Sequence, residues 1–293
     1  MLPLSRNKRR LYLIFFAIIF IIGAPFFIFK AKGYKLNLQD FFNVSKTGGL
    51  YISNDRSGID ISVNGEIVRK TGIIQKRIFV QNLKPGVYQI NISKEGLQSW
   101  NKSLRVFPEI VTEARPFLIK SEPVLTEIPR LLIGDSSALS STSQNVSKKN
   151  PEYDLINALF LPPGLKSVSV KTATTSPDTK ILGDVLVKNS AGKLHVLWKG
   201  EKDSTPNYFC ENDTCKLEII VNTVSKVLSF DFFPGRNDLL ILSVEDGIFV
   251  SEIDDRSSQN VQKVVSGSGY DFRIKDGKEI YLKKGLKIYS VTL

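Results

Sequence analysis

The sequence predicts a mainly β protein that carries one transmembrane helix near its N-terminus. Three observations support this fold class. Residues 11–29 form an uncharged, mostly apolar run that is long enough to cross a bilayer. Residues 49–119 contain short segments rich in Ile, Val, Tyr and Phe, with turn signals between them. Residues 151–293 repeat a strand-pair pattern with a period near 40 residues.

The apolar run 11–29 would span roughly 28 Å as a helix, which matches the hydrocarbon thickness of a bilayer. A cleaved signal peptide is the competing interpretation, but the run exceeds the usual apolar core of about 7–15 residues. Cleavage after Ala24 or Ala31 would place the bulky Ile22 or Phe29 at the minus-three position, where a small residue is required. We therefore expect a retained single-pass anchor. Pro25 removes one helical hydrogen bond and predicts a kink or an early helix end.

The formal net charge of +11 suggests a nucleic-acid partner until it is divided along the chain. Residues 1–35 hold seven Lys and Arg and no acid, which leaves 33 basic and 29 acidic residues elsewhere. That excess is ordinary, so we expect the basic N-terminus to contact lipid headgroups and no nucleic acid to bind. Basic residues flank the run on both sides, so the positive-inside bias is small. Because the leading tail is short, we expect a cytosolic N-terminus, an anchor in the plasma membrane and an extracytoplasmic body.

The segments after the anchor are predicted from strand patterning and turns. Apolar and polar residues alternate most clearly at 59–63 and 87–92, and Asn64-Gly65 between strands is a strong two-residue hairpin signal. These features predict a small antiparallel β-sandwich. The expected organisation is a cytosolic basic tail (1–10), the transmembrane helix (11–29), a juxtamembrane spacer (30–48), the β-sandwich (49–119), a linker (120–150) and a repeat domain (151–293).

Three motifs follow one another within residues 49–119. They are Val63-Asn64-Gly65, Leu83-Lys84-Pro85-Gly86-Val87-Tyr88 and Lys94-Glu95-Gly96-Leu97-Gln98-Ser99-Trp100. In order and spacing this segment resembles the PEGA family of small surface β-domains. The turn that names the family differs, since it reads Asp55-Arg56-Ser57-Gly58-Ile59 here. The resemblance implies an accessory module on a bacterial cell-envelope protein, without catalytic residues.

Residues 120–150 break the strand pattern, and their polar stretch 134–144 predicts a linker that buries little apolar area.

The region after the linker contains a repeat. Phe230-Asp231-Phe232 recurs as Tyr270-Asp271-Phe272, and each copy leads into a hairpin. Strand pairs repeated at this period are typical of propeller blades. The remaining length allows four blades at most. We therefore expect a small or partial β-propeller, with a second β-sandwich as the alternative.

The C-terminal hairpin, residues 278–293, would leave an unpaired edge strand that invites aggregation. Propellers often complete their last blade with a strand from before the first. Val124–Ile128 alternates suitably, so we expect it to pair near this hairpin.

Cys210 and Cys215 are the two cysteines of the chain. In an extracytoplasmic domain such a close pair predicts a disulfide across a tight loop. Two free thiols are the alternative, and a metal site is disfavoured because His195 is the sole histidine that could join them.

Catalytic groups are sparse. His195 lies in the middle of an expected strand, where a histidine is usually structural, and Asp254-Asp255 predicts a solvated turn. We therefore expect no catalytic residue, no metal site and no cofactor. Trp100, Trp198 and Tyr208 are candidate aromatics for binding a protein or a glycan, with core or rim packing as the alternative for the two tryptophans.

These expectations combine into a non-enzymatic, single-pass cell-envelope protein that displays β-domains outside the membrane. Its partners would be the lipid bilayer and an envelope protein or a cell-wall glycan. A transmembrane sensor or regulatory subunit is the alternative, although only about ten residues precede the helix and a signalling partner would be required. A propeller-type hydrolase is a weaker alternative.

Overall fold

The computed structural model describes residues 5–31, 34–36, 44–70, 76–132, 148–161, 178–212, 214–223 and 225–293. Its helices are α1 (Arg6–Ala31) and α2 (Pro151–Leu159), and two 3-10 turns cover Lys202–Ser204 and Asn207–Phe209. The remaining regular elements of these ranges are strands, so the protein is mainly β, as the sequence predicts.

The strands of the first half are β1 (Tyr34–Leu36), β2 (Val44–Lys46), β3 (Gly48–Ser53), β4 (Asp60–Val63), β5 (Glu66–Lys70), β6 (Arg77–Leu83), β7 (Gly86–Ser93), β8 (Trp100–Val106), β9 (Val111–Ala114), β10 (Val124–Ile128), β11 (Leu131–Leu132) and β12 (Lys148–Lys149). Those of the second half are β13 (Thr179–Leu182), β14 (Val185–Ser190), β15 (Lys193–Trp198), β16 (Cys210–Glu211), β17 (Thr214–Cys215), β18 (Glu218–Val221), β19 (Val227–Phe232), β20 (Leu239–Val244), β21 (Gly247–Glu252), β22 (Val261–Ser266), β23 (Tyr270–Lys275), β24 (Glu279–Lys284) and β25 (Lys287–Thr292).

Helix α1 is long and apolar enough to span a membrane. Its Arg6–Ile28 segment is not buried against the described body, so its apolar side chains have no protein environment. A helix that is apolar on all sides is stable only where lipid or protein surrounds it. Pro25 lies inside the helix, which continues to Ala31. The expectation of an early helix end at Pro25 is therefore wrong.

The β-sandwich is built from a three-stranded sheet, β6-β3-β9, and a four-stranded sheet, β5-β4-β7-β8. The predicted hairpin joins β4 to β5, with Asn64 and Gly65 both at positive φ. Alternating residues of each strand face the shared core, which includes Leu50, Ile90 and Trp100.

Three four-stranded antiparallel sheets follow. The first sheet has the order β13-β14-β15-β18, the second β19-β20-β21-β22 and the third β10-β25-β24-β23. Each sheet is a run of strand pairs, as the sequence repeat predicts. The described residues form no closed propeller ring, so the propeller-like arrangement stays a prediction.

Strand β10 completes the third sheet by pairing with the last strand, β25. The register runs from Val124 opposite Thr292 to Ile128 opposite Ile288. This confirms the expected pairing of residues 124–128 with the C-terminal hairpin. It also corrects the linker prediction, because part of the segment 120–150 belongs to a C-terminal sheet, while residues 133–147 lie outside the described residues.

Helix α2 was not expected from the strand pattern. Asn150 caps its N-terminus by accepting a hydrogen bond from the backbone N–H of Glu152, and Pro151 occupies the first turn. Tyr153 and Ile156 pack on the third sheet beside Ile288. The capping residue and the proline were a readable helix signal.

One hydrophobic core joins the sandwich to the second and third sheets. Side chains of β3, β7 and β8 pack in the same cluster as Ile241 and Val250 of the second sheet and Leu282 of the third. A second cluster joins the first and second sheets. The body is therefore a continuously packed unit rather than two modules on a linker.

Candidate functional site

The most elaborate polar arrangement lies where the sandwich meets the second sheet, at the open edge of β9. Strand β9 is the last strand of its sheet, and none of the described strands pairs with its outward carbonyls. Arg256 donates from Nη2 to the carbonyl of Glu113 (2.8 Å), and Arg236 donates from Nη2 to the carbonyl of Arg115 (3.0 Å). Two guanidinium groups thus take the place of a pairing strand.

Each of these arginines is held by an aspartate at the open end of the β20–β21 hairpin. Arg236 donates two hydrogen bonds of 2.7 Å to the Asp238 carboxylate, and Arg256 donates two of 3.0 and 2.8 Å to the Asp254 carboxylate. Such bidentate pairs fix the guanidinium plane. Burial alone would lower the pKa of Arg236, but hydrogen bonds and charge from Asp238, and then Asp55, raise it. The guanidinium therefore stays charged at the junction.

A buried ion pair lies behind the arginines. Lys102 of β8 donates from Nζ to Glu252 Oε1 (2.6 Å) and to the carbonyl of Asp254 (2.7 Å). The Lys102 side chain is 0% exposed and that of Glu252 is 4% exposed. Trp100 donates from Nε1 to the other carboxylate oxygen (2.9 Å), and Asn260 donates twice to Oε1. Burial raises the pKa of Glu252, and the charge of Lys102 opposes that rise.

A cavity of about 190 Å³ opens along this junction. Glu113 and Arg115 line it from the sandwich, and Asn207, Tyr208 and Asp238 line it from the C-terminal sheets. The Asn207 amide donates to the Glu113 carboxylate, which ties the two sides together. Burial, followed by the charge of Asp238, raises the pKa of Tyr208, so its phenol stays neutral, and it donates a hydrogen bond to the carbonyl of Asn237 (3.3 Å).

The structure places the predicted aromatics in packing roles. Trp100 is fully buried and Tyr208 is 5% exposed. Trp198 is half-buried against Phe209 and donates from Nε1 to the carbonyl of Glu201 (3.0 Å). Neither Trp100 nor Trp198 presents a free ring for stacking on a ligand, which agrees with the packing alternative. Tyr208 is the one of the three that borders the cavity.

Of the other residues singled out in the sequence, Asp254 lies in the junction, and the two cysteines and His195 take part in separate contacts. Cys210 and Cys215 form a disulfide across the β16–β17 hairpin. His195 is exposed over 28% of its side chain and contacts Glu218 Oε1 through Nδ1 (2.6 Å). Asp254 is buried beneath Arg256 and Lys102, so the expectation of a solvated turn is wrong for it. In the ranges that the structure describes, no cluster of His, Cys, Asp and Glu could hold a metal.

The junction residues were not predicted from the sequence, although the position of Lys102 indicated that it would be buried. Trp100, Lys102 and Leu104 share one face of β8, since strand side chains alternate. A lysine between two apolar residues on a core-facing row predicts a buried charge that needs an acidic partner. That the partner is Glu252, 150 residues away, could not be read from the sequence.

The comparisons with known proteins add little. No family model matches the chain, and no curated protein matches it. Among solved structures, a chain titled "AfRom2 CNH domain" is similar at 10% identity with a TM-score of 0.25, covering 78% of this chain and 71% of that chain. A TM-score this low carries no argument about fold or function.

Proposed function

We propose that the protein is a non-enzymatic, single-pass cell-envelope protein that holds a rigid β body outside the membrane to bind or scaffold a partner. The observation that carries the proposal is the combination of an unburied apolar helix, α1, with a continuously packed body. The helix supplies attachment and the body supplies a fixed surface.

Rigidity of the body follows from the junction. The shared core and the Lys102–Glu252 pair connect residues about 150 positions apart. Breaking that pair would leave a charge buried without its partner, which is costly in a low-dielectric site. A surface held in this way keeps its shape when the membrane end of the chain moves.

Orientation is proposed from the charge beside the helix and from the disulfide. The residues directly before the helix are basic, which suits the cytosolic face of a plasma membrane. The disulfide between Cys210 and Cys215 suits an oxidising compartment outside the cytosol. The resemblance of residues 49–119 to the PEGA family supports the same location.

The outer face of the first sheet, which carries exposed aliphatic side chains in the part of the chain that the structure describes, favours a protein partner over a cell-wall glycan. On this face Ile181 and Leu186 of neighbouring strands pair with each other, and Leu186 pairs with Leu197. Ile181 is 56% exposed and Ile220 is 46% exposed. Aliphatic side chains on a flat sheet suit another protein surface better than a sugar, which stacks on aromatic rings.

A photo-crosslinking amino acid in place of Ile220 tests this proposal on intact cells. We expect a discrete adduct with one envelope protein. The same substitution at Ile67, an exposed isoleucine on β5 of the sandwich and so away from this face, is the matched control and should give none. Absence of an adduct at Ile220, or an adduct with a cytosolic protein, would overturn the proposal.

A further inference from the structure

The charges of the junction cavity nearly balance. Four carboxylates and four cations lie in it or directly behind it: Glu113, Asp238, Glu252 and Asp254, with Arg115, Arg236, Arg256 and Lys102. A fifth carboxylate, Asp55, pairs with Arg236 from outside the cavity, and its side chain is 75% exposed to water, which screens its charge. A ligand with a net charge would upset this balance in a site that is partly shielded from water. The balance therefore favours a neutral or zwitterionic guest.

Two of the charged side chains in the cavity, those of Arg115 and Glu113, have hydrogen-bonding atoms without a partner in the described part of the chain. The nearest carboxylate oxygen to the Arg115 guanidinium is Asp238 Oδ2, which lies 3.7 Å from Nε and beyond hydrogen-bond distance. Glu113 accepts the Asn207 amide on Oε2, and within the described residues its Oε1 accepts nothing. A free guanidinium fork and a free carboxylate oxygen thus line the same cavity.

The spacing of these groups suits a small molecule. Glu113 and Arg115 are two positions apart, so their side chains leave the backbone on the same side, about 7 Å apart. The cavity volume of about 190 Å³ equals the liquid volume of roughly six water molecules. One compact ligand can therefore reach both side chains.

We propose that this cavity binds a free α-amino acid, with Arg115 holding the carboxylate and Glu113 holding the ammonium group. Arg115 offers paired donors that match a carboxylate, and Glu113 offers an acceptor that matches an ammonium. A sugar would leave both charges to be satisfied by water. The phenol of Tyr208 lies in the same wall and donates its proton to the carbonyl of Asn237 (3.3 Å), which leaves its oxygen able to accept a hydrogen bond from the ligand ammonium.

The decisive comparison uses three ligands of nearly equal size on the full-length protein in lipid nanodiscs. Isothermal titration with alanine, in its L and D forms, should show binding by at least one form. Propionate lacks the ammonium group and alaninamide lacks the carboxylate, and each should bind at least tenfold more weakly, since each forfeits a charge-assisted hydrogen bond worth about 1.5–3 kcal/mol.

Titration of variants with alanine tests whether the binding takes place in the cavity. Arg115→Gln and Glu113→Gln should each weaken alanine binding about tenfold or more. Arg105→Gln, at an exposed arginine outside the cavity, is the matched control and should leave binding unchanged. If a variant fails to fold, the ligand comparison on the unaltered protein still decides.

No heat with either alanine form, equal binding of alanine, propionate and alaninamide, or preferential binding of N-acetylglucosamine would overturn the proposal. The titration does not involve the Ile220 face, so its failure and a failure of the crosslinking experiment are distinguishable.

Discussion

Replacing Lys102 by methionine perturbs the junction most directly. The change keeps most of the side-chain volume and removes one buried ammonium. Lys102 donates to Glu252 Oε1, to the Asp254 carbonyl and to the Ser258 carbonyl (3.2 Å), so two buried acceptors and one partly buried acceptor lose a donor. The Glu252 carboxylate then lies buried with only the Trp100 and Asn260 donors to stabilise it.

The expected loss is about 3–5 kcal/mol in the free energy of unfolding, the range for breaking one side of a buried ion pair. For a body of this size, that corresponds to a drop of about 10 °C in the melting temperature. Thermal unfolding of the full-length protein measures it. Lys102→Met together with Glu252→Met removes both charges, and we expect the double variant to be more stable than Lys102→Met alone.

The loss in the free energy of unfolding that Lys102→Met causes should also depend on pH. Burial raises the pKa of Glu252 and Lys102 opposes the rise, so removing Lys102 raises the pKa further. A carboxyl group whose folded-state pKa is raised favours folding below its unfolded pKa, and that contribution is lost as the pH rises through the folded pKa. Lys102→Met should therefore be closest to the unaltered protein near pH 4 and furthest from it at pH 7 and above.

The reasoning is refuted if, at pH 7, the free energy of unfolding of Lys102→Met lies within about 1 kcal/mol of that of the unaltered protein. Strictly additive effects of the two substitutions would do so as well, because additivity means that the two side chains do not interact.

Three further changes test other parts of the structure. Ile128→Ala should cost about 2–4 kcal/mol, because this β10 side chain is buried in the cluster that α2 forms with the third sheet, while Thr126→Ala, at an exposed residue of the same strand, should change stability by less than about 0.5 kcal/mol; urea unfolding compares them. Alkylation and mass spectrometry should find no free thiol in the native protein and two after reduction of Cys210–Cys215, and two thiols before reduction would contradict the disulfide. His195→Ala should lower stability by at most about 1 kcal/mol because its contact with Glu218 is half-exposed, and a larger loss would mean a structural role that the contact does not explain.

Much of the fold could be read from local patterns. Alternation and turn residues located the sandwich strands, and Asn64-Gly65 specified a hairpin that needs positive φ at two positions. The edge-strand argument located the partner of the C-terminal hairpin at 124–128. These features depend on short-range geometry or on one general rule about unpaired edges.

The junction could not be read in the same way, because it depends on contacts between distant parts of the chain. Arg236 and Arg256 look like ordinary loop arginines in the sequence, and only the packing of β9 against the second sheet gives them carbonyls to satisfy. Asp254 looked solvated for the same reason. Burial of polar side chains is a tertiary property, so local patterns misjudge it.

Protease treatment of intact spheroplasts tests the central claim, that α1 anchors a body held outside the membrane. The account predicts that added protease degrades the body and leaves a membrane-protected fragment of roughly the first 30 residues, the length of the tail plus one spanning helix. A body that stays intact in closed spheroplasts and is digested only after lysis would place it in the cytosol and contradict the account.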